Sequence, residues 1–176
     1  MNNKENQRVR LTKRMLKTAL IDLLEDTQLQ QVTITEICAR AEINRTTFYK
    51  YYSTECDLYA DIENDFMVIL EANLANGHEK TLEELLRLIY VNRKMASVMI
   101  NNSSEESLAQ RIFTLPSIVN YVNFKRLDKT PYKDEINFFI FSGSYALIKR
   151  WINTDFNLSP KEVAALLNNL INKFVN

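Results

Sequence analysis

Apolar residues recur along this chain with a period near 3.6 and almost nowhere with a period of two, which predicts helices and no sheet. Leu16, Ala19, Leu20, Leu23 and Leu24 mark a helix over Arg8–Asp26, behind a basic arm at residues 1–7. Leu29 and Val32 punctuate the following loop, 27–32, and should tuck under that helix. Thr33 with Glu36 forms a capping box, and Ile37, Cys38 and Ala41 give the next short helix its apolar face. Asn44 then caps a segment from Arg45 to Tyr52, with Phe48 and Tyr52 on one face at i and i+4. Leu58, Ile62, Phe66, Ile69 and Leu70 stripe a helix starting at Ser53 or Thr54. It runs to about Asn76, where Gly77 stops it. At 1.5 Å per residue it is about 34 Å long.

The second half continues in helices. Thr81 and Glu84 open one carrying Leu82, Leu85, Leu86, Ile89 and Tyr90; another spans Lys94–Ile100. A helix from Glu105 is broken or kinked at Pro116 and ends near Arg126. A long helix from Tyr132 to Asn153 carries two apolar stripes: Phe138, Phe141, Tyr145, Ile148 and Ile152; and Ile136, Ile140, Gly143, Leu147 and Trp151. Ser159-Pro160 with Glu162 starts the last helix, whose stripe is Val163, Leu167, Leu170 and Phe174. A helix apolar on two faces is buried on two sides. Either it lies at the centre of the monomer, or one face meets a second chain.

Composition agrees. With two Gly and three Pro in 176 residues, long helices are favoured. No apolar run approaches the roughly 20 residues that span a bilayer, and MNNKENQRVR lacks a signal-peptide core. The expected location is the cytoplasm, with no membrane partner. Two cysteines are too few for a disulfide framework. His78 has no metal-ligand partner at i+3 or i+4, and no Gly-rich phosphate loop exists. No enzyme, metal or cofactor is expected. Net charge is zero, but residues 1–52 carry nine Lys and Arg against six Asp and Glu. That asymmetry favours an anionic partner for the N-terminal end.

The two short helices joined by a tight turn read as a helix-turn-helix, whose second element enters the DNA major groove. Arg45 suits a bidentate contact to guanine, Thr46 and Thr47 suit base edges and the thymine methyl, and Lys50 suits a base or a phosphate. Thr33, Tyr49 and Tyr51 suit phosphate oxygens. Partial packing on the first or fourth helix is the alternative for the two tyrosines.

The run Ile-Cys-Ala-Arg-Ala-x-Ile-Asn-Arg-Thr-Thr-Phe-Tyr-Lys-Tyr-Tyr, followed by Asp57-Leu58, resembles the DNA-binding domain of TetR-family transcriptional regulators. The resemblance covers roughly Leu11–Leu58. It implies an all-α fold of about nine helices, with a helix-turn-helix domain at 1–53 and a regulatory and dimerisation domain at 54–176. It matches Arg45, Thr46, Thr47 and Lys50 to base-reading positions and Thr33, Tyr49 and Tyr51 to phosphate contacts. The implied partners are a double-stranded DNA operator, a second copy of the chain and a small-molecule effector.

The expected function is a ligand-responsive repressor, binding a palindromic operator as a homodimer. Dimer contacts are expected at Phe138, Phe141, Tyr145, Ile148, Ile152, Val163, Leu167, Leu170 and Phe174. Effector contacts are expected among Phe66, Tyr90, Met95, Met99, Phe113, Tyr121 and Tyr145, between the long helix after Ser53 and the one from Tyr132; plain core packing is their ordinary alternative. Two departures stand out. Glu42 occupies the turn where the family usually has Gly, and Glu55 stands where it often has a phosphate-facing Lys. Both favour the alternative, a TetR-like coactivator or adaptor that works through protein contacts.

Overall fold

The computed structural model describes residues 3–75, 82–103, 111–112 and 131–175. Among them are eight α-helices, one short 3-10 turn and no strand: α1 Asn3–Leu23, α2 Ile34–Ala41, α3 Arg45–Phe48, α4 Glu55–Ala75, α5 Leu82–Val91, α6 Arg93–Asn102, α7 Lys133–Asn153 and α8 Pro160–Val175. The expected stop at Gly77, the Thr81 cap and the Pro116-broken helix lie outside the described residues. So do Phe113 and Tyr121.

The chain divides into two compact units, Met1–Phe66 and Met67–Asn176, and the division falls inside α4. In the first unit α1 packs on α2, and α2 on α3. Its core is Leu16, Ala19, Leu20, Leu24, Ile37, Cys38, Ala41, Phe48, Tyr52, Leu58, Ile62 and Phe66, completed from the loop by Leu29 and Val32. The helical members are positions the 3.6-residue periodicity selects; Leu23, selected with them, is half-buried, and Tyr59, which the stripe left out, is buried. The expected arm at 1–7 is corrected: α1 is helical from Asn3, since nothing in its polar first turns breaks a helix.

In the second unit α8 packs chiefly on α5, while α6 and α8 both meet α7. Leu82, Leu86 and Ile89 of α5 and Val163, Ala164 and Leu167 of α8 are buried. The Ser159–Glu162 capping box forms: the Ser159 hydroxyl and backbone N–H donate to the Glu162 carboxylate at 2.6 and 2.8 Å, and the Glu162 N–H donates back at 3.3 Å. The Trp151 indole donates to the Leu158 carbonyl at 2.8 Å, tying down the α7–α8 loop.

The residues of the expected dimer set differ in their burial within one chain. Tyr145, Ile152, Val163 and Leu167 are buried within one chain. Phe141, Ile148 and Leu170 are half-buried. Phe138 is 75% exposed and its neighbour Phe139 57% exposed. Ser142 and Ala146 share their side of α7, and a Cβ added at Gly143 would meet nothing within 4 Å. The apolar stripe is thus split: its C-terminal part is core and its N-terminal part is surface.

Candidate nucleic-acid interface

Three local devices build the reading segment. Thr33 caps α2 with both halves of the box in place. The Thr33 N–H and hydroxyl donate to the Glu36 carboxylate at 2.8 and 2.7 Å, and the Glu36 N–H donates to the Thr33 hydroxyl oxygen at 3.3 Å. These bonds hold the Glu36 carboxyl below the usual carboxylate range.

Next comes the turn. Glu42 lies in the left-handed region, at φ 54° and ψ 38°. Its N–H donates to the Ala39 carbonyl at 3.3 Å, and the Ile43 N–H to the Cys38 carbonyl at 2.9 Å. This is a Schellman motif, whose left-handed position usually holds Gly. The turn keeps that geometry with Glu in it, at a cost of about 1–2 kcal/mol.

Third, the Asn44 side chain accepts from the Thr46 N–H at 2.8 Å and starts α3. The expected helix Arg45–Tyr52 is shorter than its pattern suggests. Regular α-helix ends at Phe48. The Lys50 N–H then reaches the Thr47 carbonyl at 3.3 Å, and the Tyr51 N–H the Phe48 carbonyl at 2.9 Å, tightening the chain into turns.

The residues expected to meet DNA differ in exposure. Arg45, Thr46, Tyr49, Lys50 and Thr33 are exposed; Thr47 and Tyr51 are half-buried. The Arg45 guanidinium lies over its own helix and donates to the Tyr49 hydroxyl at 3.4 Å. Beneath them Phe48 is fully buried and Tyr52 is 5% exposed, with ring centroids 5.9 Å apart. Tyr49 is 50% exposed and touches the Phe48 ring edge-on at 5.7 Å, so part of it packs and part faces solvent.

At the start of α4, Asp57 accepts from the Ser53 and Thr54 N–H groups, each at 3.0 Å, and its own N–H donates to the Thr54 hydroxyl at 3.1 Å. This capping box was half visible in the sequence, where Thr54 reads as a cap. Glu55 joins it in the first turn.

Sequence reasoning overlooked a polar cluster under the segment. The Tyr52 hydroxyl donates to Asp61 Oδ2 at 2.6 Å. Lys17 Nζ lies 3.2 Å and Lys13 Nζ 3.4 Å from the same oxygen, and Lys17 is 2.6 Å from Asp65 Oδ2. Lys13 Nζ also sits 5.2 Å from the Tyr52 ring centroid. Burial pushes the Asp61 carboxyl up, but the bonds from Tyr52 and Lys17 and the two ammonium charges outweigh it and hold it below its ordinary 3.8. The available signal was two i, i+4 pairs of opposite charge, Lys13/Lys17 on α1 and Asp61/Asp65 on α4.

Cys38 is buried, and burial pushes its thiol up, as befits a small apolar residue. Among the described residues no group of three or more His, Cys, Asp or Glu is placed to hold a metal ion. No described helix is long and apolar enough to cross a membrane. Of the expected effector residues, Phe66, Met99 and Tyr145 are buried and Met95 is half-buried. Tyr90 is 39% exposed and stands in an aromatic cluster with Trp151, at 6.5 Å, and Phe156, at 5.5 Å. The Arg93 guanidinium lies 5.6 Å from its ring centroid.

Comparison with known proteins decides the family. The TetR C-terminal model, described as a transcriptional regulator C-terminal region, matches residues 78–173, more than half of the chain. The chain belongs to the TetR family of transcriptional regulators. It is similar to the HTH-type transcriptional regulator YxbF of Bacillus subtilis (strain 168), 24% identical over 85% of this chain and 42% of YxbF. It is also similar to DhaS, the HTH-type dhaKLM operon transcriptional activator of Lactococcus lactis subsp. lactis (strain IL1403), 31% identical over 47% of this chain and 46% of DhaS. The chain thus spans less than half the length of these curated relatives. Two solved structures share the TetR fold. A TetR transcriptional regulator from Streptococcus agalactiae 2603V has a TM-score of 0.70 at 16% identity, covering 95% of this chain and 97% of that one. The dihydroxyacetone kinase operon activator DhaS has a TM-score of 0.64 at 18% identity, covering 93% and 96%.

Proposed function

We propose that this TetR-family chain is a sequence-specific DNA-binding regulator that reads its operator with Arg45, Thr46, Thr47 and Lys50. The observation carrying the reading is the segment's two-sidedness. Phe48 and Tyr52 are buried, while Arg45, Thr46 and Lys50 of the same short segment are exposed. Thr33, Tyr49 and Tyr51 complete the contact on phosphates. Residues 1–53 form the DNA-binding part and residues 54–176 the regulatory part. The protein acts as a homodimer on a partly palindromic operator, with heads about 34 Å apart or a multiple of that, and represses from it. A small-molecule effector bound by the regulatory part, at Met95, Met99 and Tyr145, releases DNA only through its differential affinity for two states.

Selection of binding sites from random duplex DNA tests this. A recovered palindrome supports both the reading and its symmetry, and no enrichment over several salt concentrations refutes sequence-specific binding.

A second reading has its own support. The name of DhaS says activator, and Glu42 and Glu55 place carboxylates beside the reading surface. On this reading the chain activates, as a coactivator or adaptor working through protein contacts, with weak DNA affinity. Transcription from the selected site with and without the protein separates the two.

A further inference from the structure

We propose that Asp61 is a positioning residue for DNA reading: through the Tyr52 hydroxyl it sets how the segment 45–52 is presented. The inference rests on the proposed function and goes beyond it, since Asp61 is not among the residues assigned to touch DNA.

A four-residue helix cannot hold itself together in water. The reading segment therefore depends on its anchors. Two are apolar, the buried rings of Phe48 and Tyr52. The third is polar, the 2.6 Å bond from the Tyr52 hydroxyl to Asp61 Oδ2. Apolar packing is non-directional and tolerates rotation of a ring edge. A short charge-assisted hydrogen bond does not. Asp61 is fixed in turn, because Lys17 bridges it to Asp65 and donates to the Asp61 carbonyl oxygen at 3.3 Å. Lys17 is only 16% exposed in its side chain, so its charge needs these partners. Lys13 closes the cluster, at one carboxylate oxygen and over the Tyr52 ring. The cluster joins α1, α4 and the C-terminal end of the reading segment at one atom, Asp61 Oδ2. A shift of that turn of α4 therefore displaces Tyr52, and with it the segment that carries Arg45 and Lys50.

The test uses the full chain with Tyr52→Phe, Asp61→Leu and Asp61→Asn. Tyr52→Phe removes only the hydroxyl and keeps the packing. Asp61→Asn keeps an acceptor but drops the charge. The first readout is amide exchange over residues 45–52 in the absence of DNA. Tyr52→Phe and Asp61→Leu are expected to speed it about tenfold or more, with Asp61→Asn intermediate and α2 unchanged. The second is the ratio of operator to random-duplex affinity. It is expected to fall about tenfold in Tyr52→Phe, with random-duplex binding unchanged. In Asp61→Leu the random-duplex affinity should rise, because two lysines lose an acidic partner. Unchanged exchange in Tyr52→Phe and Asp61→Leu overturns the proposal. So does an equal fall in both affinities, which is what simple loss of stability produces. Wild-type protein that prefers no sequence refutes the proposed function instead, and the exchange measurement still decides whether Asp61 positions the segment.

Discussion

Replacing Glu42 by Gly should stabilise the protein, and the size of the gain can be worked out from the turn. Glu42 holds φ 54° and ψ 38°, and no other local conformation lets its N–H and that of Ile43 meet the Ala39 and Cys38 carbonyls. A left-handed L-residue costs roughly 1–2 kcal/mol. Gly removes that cost but loses about 0.4–1 kcal/mol through the greater freedom of the unfolded chain. The net gain is about 0.5–1 kcal/mol, or about 1–4 °C in the melting temperature of a chain this size. Thermal melts followed by far-UV circular dichroism measure it. Glu42→Ala is the control, since it removes the carboxylate and keeps the strain; it should leave the melting temperature within about 1 °C. Asp155 tests the same reasoning at the end of α7. It too lies at φ 54°, with the Phe156 N–H on the Trp151 carbonyl at 3.0 Å. Asp tolerates this region better than Glu, so Asp155→Gly should gain less. Equal stabilisation by Glu42→Gly and Glu42→Ala would refute the argument, because charge rather than backbone strain would then be the cause.

Arg45→Ala should weaken operator binding about ten- to a hundredfold and relax one base position, read by competition with single-base operator variants. Glu36→Gln keeps an acceptor for the Thr33 cap but removes a carboxylate from a proposed phosphate site. Affinity for operator and random duplex should rise by the same factor in a salt titration. Phe138→Asp should convert a micromolar dimer to monomer in sedimentation without lowering thermal stability, since Phe138 is 75% exposed in one chain. Burying such a ring contributes about 1.5–3 kcal/mol, twice over in a symmetric dimer. Asp61 fixes a pH dependence. Its folded value lies below its ordinary 3.8, so its contribution is complete above that pH and is lost as pH falls through the lower value. Urea midpoints from pH 7 to pH 3 should therefore decline less in Asp61→Asn than in wild type.

What was legible in the sequence was whatever is encoded within four residues. Thr33 with Glu36 and Ser159 with Glu162 predict their capping boxes, because donor and acceptor lie one helical turn apart. Phe48 and Tyr52 predict the buried side of the reading segment for the same reason. The length of α3 was not legible. Its apolar pair is compatible with a full helix to Tyr52, and the shift to i, i+3 bonding at Lys50 and Tyr51 leaves the same two rings inside. Nor was the split of α7, whose two stripes look alike along their whole length. Packing on α6 and α8 decides which positions are covered, so Ile140 and Ile152 are core and Phe138 is surface. The Asp61 cluster joins residues 44 and 48 positions apart. Only its charge spacing was visible.

The same cluster changes how the basic N-terminal end should be counted. Formal charge over residues 1–52 credits Lys13 and Lys17 to DNA attraction, yet both are committed to Asp61 and Asp65. Glu36, Glu42 and Asp57 are exposed carboxylates that two helix starts and one turn place on the same small domain. Among the described side chains, what remains for phosphates beside Arg45 is Arg8, Arg10 and Arg14 on α1, with Arg40 and Lys50, all exposed. Each phosphate neutralised steepens the salt dependence of binding by about 0.9 in logarithmic slope. On the proposed reading, each lysine committed to a carboxylate lowers the attraction to random DNA, and operator affinity leans more on short-range contacts from Arg45, Thr46, Thr47 and Lys50. Weak non-specific attraction raises the ratio that decides occupancy among many competing sites. It also makes occupancy sensitive to the orientation of one short segment, and the Tyr52–Asp61 bond is the directional contact that holds it.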